Sequence, residues 1–251
     1  MPDVKYLHEE ELHNLESPDK IVTHLINLFN PQSVLDIGCG LGTFLFAFKQ
    51  KSVSKVMGVD GAWVDRELLK KYLNNDEFLE ADLEKPLDLN RKFDLALCLE
   101  VAEHLSESSA NVLVSSLTRH SDTIIFSAAI PLQGGQNHIN EQWLHYWADK
   151  FKSHGYYPQD MVRPLIWDDK GVFYWYKQNI LVFSKVGAEA TNPASPTFMN
   201  IIHPELYLRK MTELNSIFDG NYPISGVAMI FIRTTLRKLG LIKVPKIKYR
   251  Y

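Results

Sequence analysis

The sequence predicts a doubly wound α/β fold, with a seven-stranded, mainly parallel sheet and a C-terminal helical tail, on three observations. Short, near-continuous apolar runs alternate with amphipathic helical stretches, the pattern of a parallel sheet covered on both faces. A glycine turn, Gly38-Cys39-Gly40-Leu41-Gly42, links the first run to the helix after it. Carboxylates stand at the ends of the first, second and third runs, at Asp36, Asp60 and Asp82.

The elements follow in order. Ser17-Pro18-Asp19 opens a helix, with Pro18 at its first position, and Ile21, Val22, Leu25, Ile26, Leu28 and Phe29 recur at helical spacing until Asn30-Pro31 stops it. Ser33 to Ile37 is a strand, and Phe44, Leu45 and Phe48 mark the helix after the glycines. Strands are expected at Lys55–Val59, Glu77–Ala81, Phe93–Leu99 and Thr123–Ser127, and helices at Trp63–Leu73, Ser106–Arg119 and Asn140–Ser153. Tyr157–Ile166 and Gln178–Ser184 read as a closing antiparallel pair, joined across the aromatic stretch Phe173-Tyr174-Trp175-Tyr176. Residues 1–186 thus form one domain with an N-terminal helical cap. Residues 187–251 form a small, polar, proline-containing linker and a tail with its own helical patches.

Composition bounds the function. The chain has 251 residues, 45% of them hydrophobic and 23% charged, with a net charge of −3, so it has no general attraction to nucleic acid; a polyanion partner needs a local basic patch. The two cysteines, Cys39 and Cys98, form no CxxC pair, which fits a reducing cytoplasm rather than a disulfide framework. No signal-peptide core opens the chain, and no apolar run approaches the roughly 20 residues that span a bilayer.

The glycine turn has a mechanical meaning. Glycines let the backbone approach a ligand where a Cβ would collide, and the helix N-terminus beyond offers unpaired N–H groups. Asp60, at the end of the next strand, stands where a carboxylate can take both hydroxyls of a ribose. Spacing then narrows the cofactor. A dinucleotide fingerprint needs a third glycine where this chain has Thr43, and Asp36 would repel a pyrophosphate but favours sulfonium and amino groups.

Val34-Leu35-Asp36-Ile37-Gly38-Cys39-Gly40 resembles motif I of class I, S-adenosylmethionine-dependent methyltransferases, and Val56-Met57-Gly58-Val59-Asp60, Glu80-Ala81-Asp82-Leu83 and Phe93 to Leu105 resemble the three motifs that follow. The resemblance covers residues 20 to 185 and implies a Rossmann-like fold. It implies that Asp60 binds the cofactor's ribose hydroxyls, that Asp82 accepts from the adenine amino group beside Leu83, and that Asp36, Gly38, Gly40 and Gly42 lie against the methionyl part. Trp63 stacks near the adenine or packs as a helix residue on the sheet; both readings stand.

Glu100, Glu103 and His104 follow the fourth strand, where the family's strand order places the switch point, between the first and fourth strands. On a helix the three converge, with Glu100 and Glu103 within reach of cofactor or acceptor. Two carboxylates and an imidazole suit a divalent cation, Mg²⁺ or Mn²⁺. The group resembles the metal ligands of small-RNA 2′-O-methyltransferases and ubiquinone-pathway O-methyltransferases, with His138 available to complete a set of Glu100, Glu103, His104 and His138. Many methyltransferases without metal carry a similar group, in which His104 caps or packs.

The loop Gln133 to Trp143 is dense in polar residues. Asn140 is expected to cap the next helix, which leaves Gly134-Gly135 and His138 without a structural account. A histidine that titrates near neutrality can take the proton of an accepting hydroxyl, so His138 is a candidate general base. The Gly-Gly-x-x-His-x-Asn-Glu-Gln pattern resembles bacterial methyltransferases of sugar, surface-polysaccharide and natural-product pathways, which points to O-methylation of a small-molecule or glycan acceptor. Trp143, Tyr146 and Trp147, at helical spacing, read as core or as an acceptor platform. Trp167 and the Phe173–Tyr176 run fit either a sugar-stacking cleft or strand packing.

From Gly220 onward the chain has no acidic residue but carries Arg233, Arg237, Lys238, Lys243, Lys246, Lys248 and Arg250, after an apolar patch from Val227 to Ile232. This fits a cytoplasmic protein peripheral at the inner membrane surface, or a helix docked on the domain or on a second copy. Two other classes stay open: a nicotinamide-dependent oxidoreductase on the same layout, and a non-catalytic partner that keeps the cofactor fold.

Overall fold

The computed structural model describes residues 15–185 and 199–242. The expected linker at 187–196 and the last four basic residues of the tail lie outside them.

Seven strands form one sheet: β1 (Ser33–Ile37), β2 (Lys55–Asp60), β3 (Phe78–Glu80), β4 (Leu95–Leu99), β5 (Thr123–Ser127), β6 (Tyr156–Gln159) and β7 (Leu181–Lys185). Their order is β3-β2-β1-β4-β5-β7-β6. The first five are parallel, and β7 runs antiparallel to both β5 and β6. The fold is therefore the doubly wound, Rossmann-like one, with its switch point between β1 and β4.

Pleating sends successive side chains to opposite faces. Leu95, Leu97, Ile125 and Val182 enter one core layer, while Ala96, Cys98, Ile124, Phe126 and Phe183 enter the other. α1 (Glu16–Phe29) and α2 (Thr43–Gln50) cover the first face; α4 (Ala110–His120) and α5 (Leu144–Ser153) cover the second. Trp147 is wholly buried on that second side against Phe126, as its helical spacing predicts.

Four elements depart from expectation. The helix expected over Trp63–Leu73 is one turn, α3 (Arg66–Leu69), because the Asp65 carboxylate takes the Glu67 and Leu68 N–H groups and starts the helix there. α5 starts at Leu144, so Asn140 caps nothing; its N–H instead donates to the Glu103 carbonyl at 3.0 Å. β6 ends at Gln159, and Arg163–Ile166 turns into a short helix, α6, where buried Arg163 pairs with Asp160. The aromatic stretch opens a helix, α7 (Tyr174–Asn179), so Gln178 is helical rather than extended.

The chain forms two compact units, the first running to His203 and the second from Pro204. Met199 is buried in the first unit's core, and the His203 N–H donates to Gln178 Oε1 at 2.8 Å. The second unit contains α8 (Pro204–Phe218) and α9 (Ile224–Lys238).

Candidate active site

The glycine turn is shaped by three left-handed residues, Gly38, Gly40 and Gly42, with φ of 86°, 52° and 82°. A side chain at Gly38 would run into Val101, so this glycine lets the turn after β1 close against the segment after β4. The two halves of the switch point thereby touch.

Asp60 ties the turn to the end of β2. Its Oδ2 accepts the Gly40 N–H at 2.7 Å and its Oδ1 the Gly61 N–H at 2.6 Å. A carboxylate has about four lone pairs, so Asp60 keeps acceptor capacity beyond these backbone bonds. Burial raises the Asp60 carboxyl to about 6, although hydrogen bonds from Gly40, Gly61 and Trp63 oppose the shift. Asp36 is raised further, to about 7, by burial and then by the charge of Asp60. Among the described residues no salt bridge answers either carboxyl, and the buried pair has the charge to favour a positively charged ligand.

Trp63 lies 40% exposed with its ring over Gly61, outside the one-turn helix it was expected to join. Asp82 is half-exposed and holds its own turn together, accepting the Glu84 N–H at 3.0 Å and pairing with Lys85 at 3.0 Å. Leu83 is buried with Val101 and Ala102.

Beyond β4 the chain does not form the helix that would converge all three acidic-histidine residues. Glu100 is left-handed, with φ of 55°, and only Ala102–His104 makes a tight helical turn. Glu103, His104 and His138 nevertheless come together, each offering a donor atom within 4.8 Å of the others. The imidazoles of His104 and His138 meet edge to face, with centroids 4.9 Å apart. Burial, then the neighbouring His138, lowers His104 to about 4, against the opposing pull of the Gln136 and Asn137 backbone.

Glu103 is fully buried, and neither carboxylate oxygen makes a well-formed hydrogen bond, although its own and the Ala129 N–H lie nearby. Burial and the Glu100 charge push its carboxyl well above the ordinary range. An unanswered buried carboxylate is costly as an anion. It is therefore protonated, or it meets a cation.

Glu100 stands apart from this cluster. Its carboxylate accepts Gln133 Nε2 at 3.1 Å and Asn179 Nδ2 at 3.1 Å. The Gln133 Oε1 in turn accepts from Gln178 Nε2 and Asn179 Nδ2, at 3.1 and 2.9 Å. This amide network joins the ends of β4 and α7 to the loop after β5. Sequence reading missed Gln178 and Asn179, whose partners lie far away in the chain.

His138 is held from two sides. Its Nδ1 lies 2.9 Å from Glu141 Oε1. Its ring covers Gly135, where any Cβ would strike it, which explains a glycine that helix capping left unaccounted for. Burial would raise Glu141, but hydrogen bonds from His138, Gly134 and Leu132 outweigh it and leave this carboxyl below its ordinary value. On the same loop, Leu132 and Ile139 are exposed apolar residues.

A family model described as "Methyltransferase domain" matches residues 8–161. No curated protein matches the chain. Among solved structures, a sugar N-methyltransferase from Streptoalloteichus sp is similar at a TM-score of 0.55 and 13% identity, over 71% of this chain and 90% of that one. The methyltransferase domain of a bacterial Hen1 protein reaches 0.50 at 21% identity, over 68% and 100%. The magnesium protoporphyrin IX methyltransferase of Synechocystis, solved with bound S-adenosylhomocysteine, reaches 0.50 at 18%, over 68% and 83%. At these identities the likeness is one of fold.

Proposed function

We propose that this chain, which belongs to the methyltransferase-domain family and takes its methyl group from S-adenosylmethionine, delivers that group to a hydroxyl of a sugar, polysaccharide-linked or natural-product acceptor. The observation that carries this reading is the His138–Glu141 pair on the loop after β5. An ionised Glu141 accepts a hydrogen bond from His138 Nδ1–H, which fixes the tautomer whose Nε2 lone pair is free to act as a base. S-adenosylmethionine, when bound, would supply an electrophilic methyl group with a neutral thioether as its leaving group, and His138 Nε2 would take the proton of the attacking acceptor hydroxyl. Positioning supplies much of the acceleration in such a one-step displacement.

On the donor side, Asp60 is assigned to the ribose hydroxyls, the Gly38–Gly42 turn with Asp36 to the methionyl part, and Asp82, Leu83 and Trp63 to the adenine. Glu100 is assigned to the rim between donor and acceptor, steadied by Gln133 and Asn179. The test is release of S-adenosylhomocysteine over a panel of polyhydroxylated acceptors. Turnover that His138→Ala lowers, with cofactor affinity kept, supports the reading. Turnover indifferent to that substitution removes His138 as base.

A second reading rests on the orphaned Glu103 carboxylate. Glu103, His104 and His138 have the donor chemistry to hold a divalent cation such as Mg²⁺ or Mn²⁺. Such an ion would polarise the accepting hydroxyl. Activity that survives EDTA and ignores added Mg²⁺ and Mn²⁺ counts against it.

A further inference from the structure

We propose that the second unit binds the surface of an anionic membrane through α9, with apolar side chains entering the lipid and arginines meeting the headgroups. The unit has an unusual balance. No residue of α9 is buried. Ile224, Val227 and Phe231, at positions i, i+3 and i+7, share one face of the helix, and Ile224 and Phe231 are 89% and 72% exposed. Arg233 and Arg237, one turn apart, lie toward the opposite side. Soluble surfaces seldom leave such an apolar stripe uncovered.

The charge identifies the occupant. From Gly220 to Tyr251 there are seven cationic residues and no acidic one. A second copy of α9 would set Arg233 and Arg237 against like charges, with no carboxylate on that helix to pair them. A nucleic acid would answer the arginines and leave Ile224 and Phe231 in water. An anionic lipid surface answers both, since acyl chains take the apolar face while phosphates take the basic groups. At 15 residues, α9 is about 22 Å long, short of the hydrocarbon thickness of about 30 Å. No helix among the described residues is long and apolar enough to cross a membrane. Contact along the surface is the geometry left to it.

The experiment is flotation of the full chain with vesicles of phosphatidylcholine alone, or of phosphatidylcholine and phosphatidylglycerol at about 7:3, in low and high salt. The expected bound fraction is at least about fivefold greater on the anionic vesicles and falls toward the neutral level in high salt. Ile224→Glu with Phe231→Glu should lower it at least about fivefold, and Arg233→Gln with Arg237→Gln at least about twofold. Each variant should keep the wild-type thermal shift with S-adenosylhomocysteine, which reports an intact first unit. Equal partitioning on both vesicle types overturns the proposal. So does an absence of flotation together with self-association that depends on Phe231.

Discussion

His138 Nδ1 lies 2.9 Å from Glu141 Oε1, and the same carboxylate accepts the backbone N–H groups of Gly134 at 2.7 Å and Leu132 at 2.8 Å. One side chain therefore orients the imidazole and closes the loop that carries it. Substitution of Glu141 should disturb both, whereas substitution of His138 should remove the imidazole and leave the loop closed.

His138→Ala is expected to lower kcat by about 10²-fold or more, the usual contribution of a positioned general base. Its affinity for S-adenosylhomocysteine should equal that of wild type by calorimetry. Glu141→Gln keeps a carbonyl oxygen for one hydrogen bond but loses the charge, and is expected to lower kcat by about tenfold or more through misplacement of the ring. A Glu141→Gln enzyme with wild-type kcat would show that the pair is structural only.

Gly135→Ala tests the other wall of the same pocket. Gly135 is not left-handed, so alanine fits its backbone, yet the new Cβ would strike the His138 ring. That ring is held by Glu141 and cannot swing away freely. The expected result is a fall in kcat of about tenfold or more, with cofactor affinity and melting temperature nearly unchanged. An unchanged kcat would mean that the ring yields without cost.

Asp36 and Asp60 should make both stability and donor binding depend on pH. Both carboxyls are raised in the folded chain, to about 7 and about 6, so the folded state holds more protons than the unfolded one above about pH 4. Their contribution to stability is whole below the unfolded value and is lost as pH rises through the folded values. A cationic ligand favours the ionised pair. S-adenosylmethionine is therefore expected to bind more tightly, and to raise the melting temperature more, at pH 8 than at pH 5.5. Asp36→Asn should flatten that dependence and weaken binding. A ligand shift equal at both pH values in wild type would rule out the carboxylate pair as its cause.

Local pattern made much of this fold legible. Asp36, the glycines after it and Asp60 are close in sequence to the strands that place them, and alternating apolar runs identify the sheet. The acceptor side is different. Asn140 reads as a helix cap from its neighbours alone, whereas its N–H partner is the Glu103 carbonyl, held by the turn after β4. Gln133 and Asn179 meet 46 residues apart, and amide side chains carry no periodic signal that would announce such a pairing. Helical spacing groups Glu100 with Glu103 and His104. Its left-handed backbone and the Gln133–Asn179 amides separate it from them.

Glu103 decides between a proton and a cation. Its carboxylate is fully buried without a well-formed hydrogen bond, and its carboxyl is pushed well above the ordinary range by burial and by Glu100. Without a cation, burial favours its neutral form, so Glu103→Gln replaces one neutral group by another of like shape and should leave the melting temperature nearly unchanged. With a cation the carboxylate ionises, and its two neighbours in space, His104 and His138, complete the donor set. Mn²⁺ added at pH 7.5 is then expected to raise the melting temperature of wild type and not that of Glu103→Gln. A second variant separates the roles further, since His138→Ala should weaken the Mn²⁺ shift and also remove the base. A wild-type chain whose melting temperature ignores Mn²⁺ retires the cation reading and leaves a protonated Glu103 beside His104 and His138.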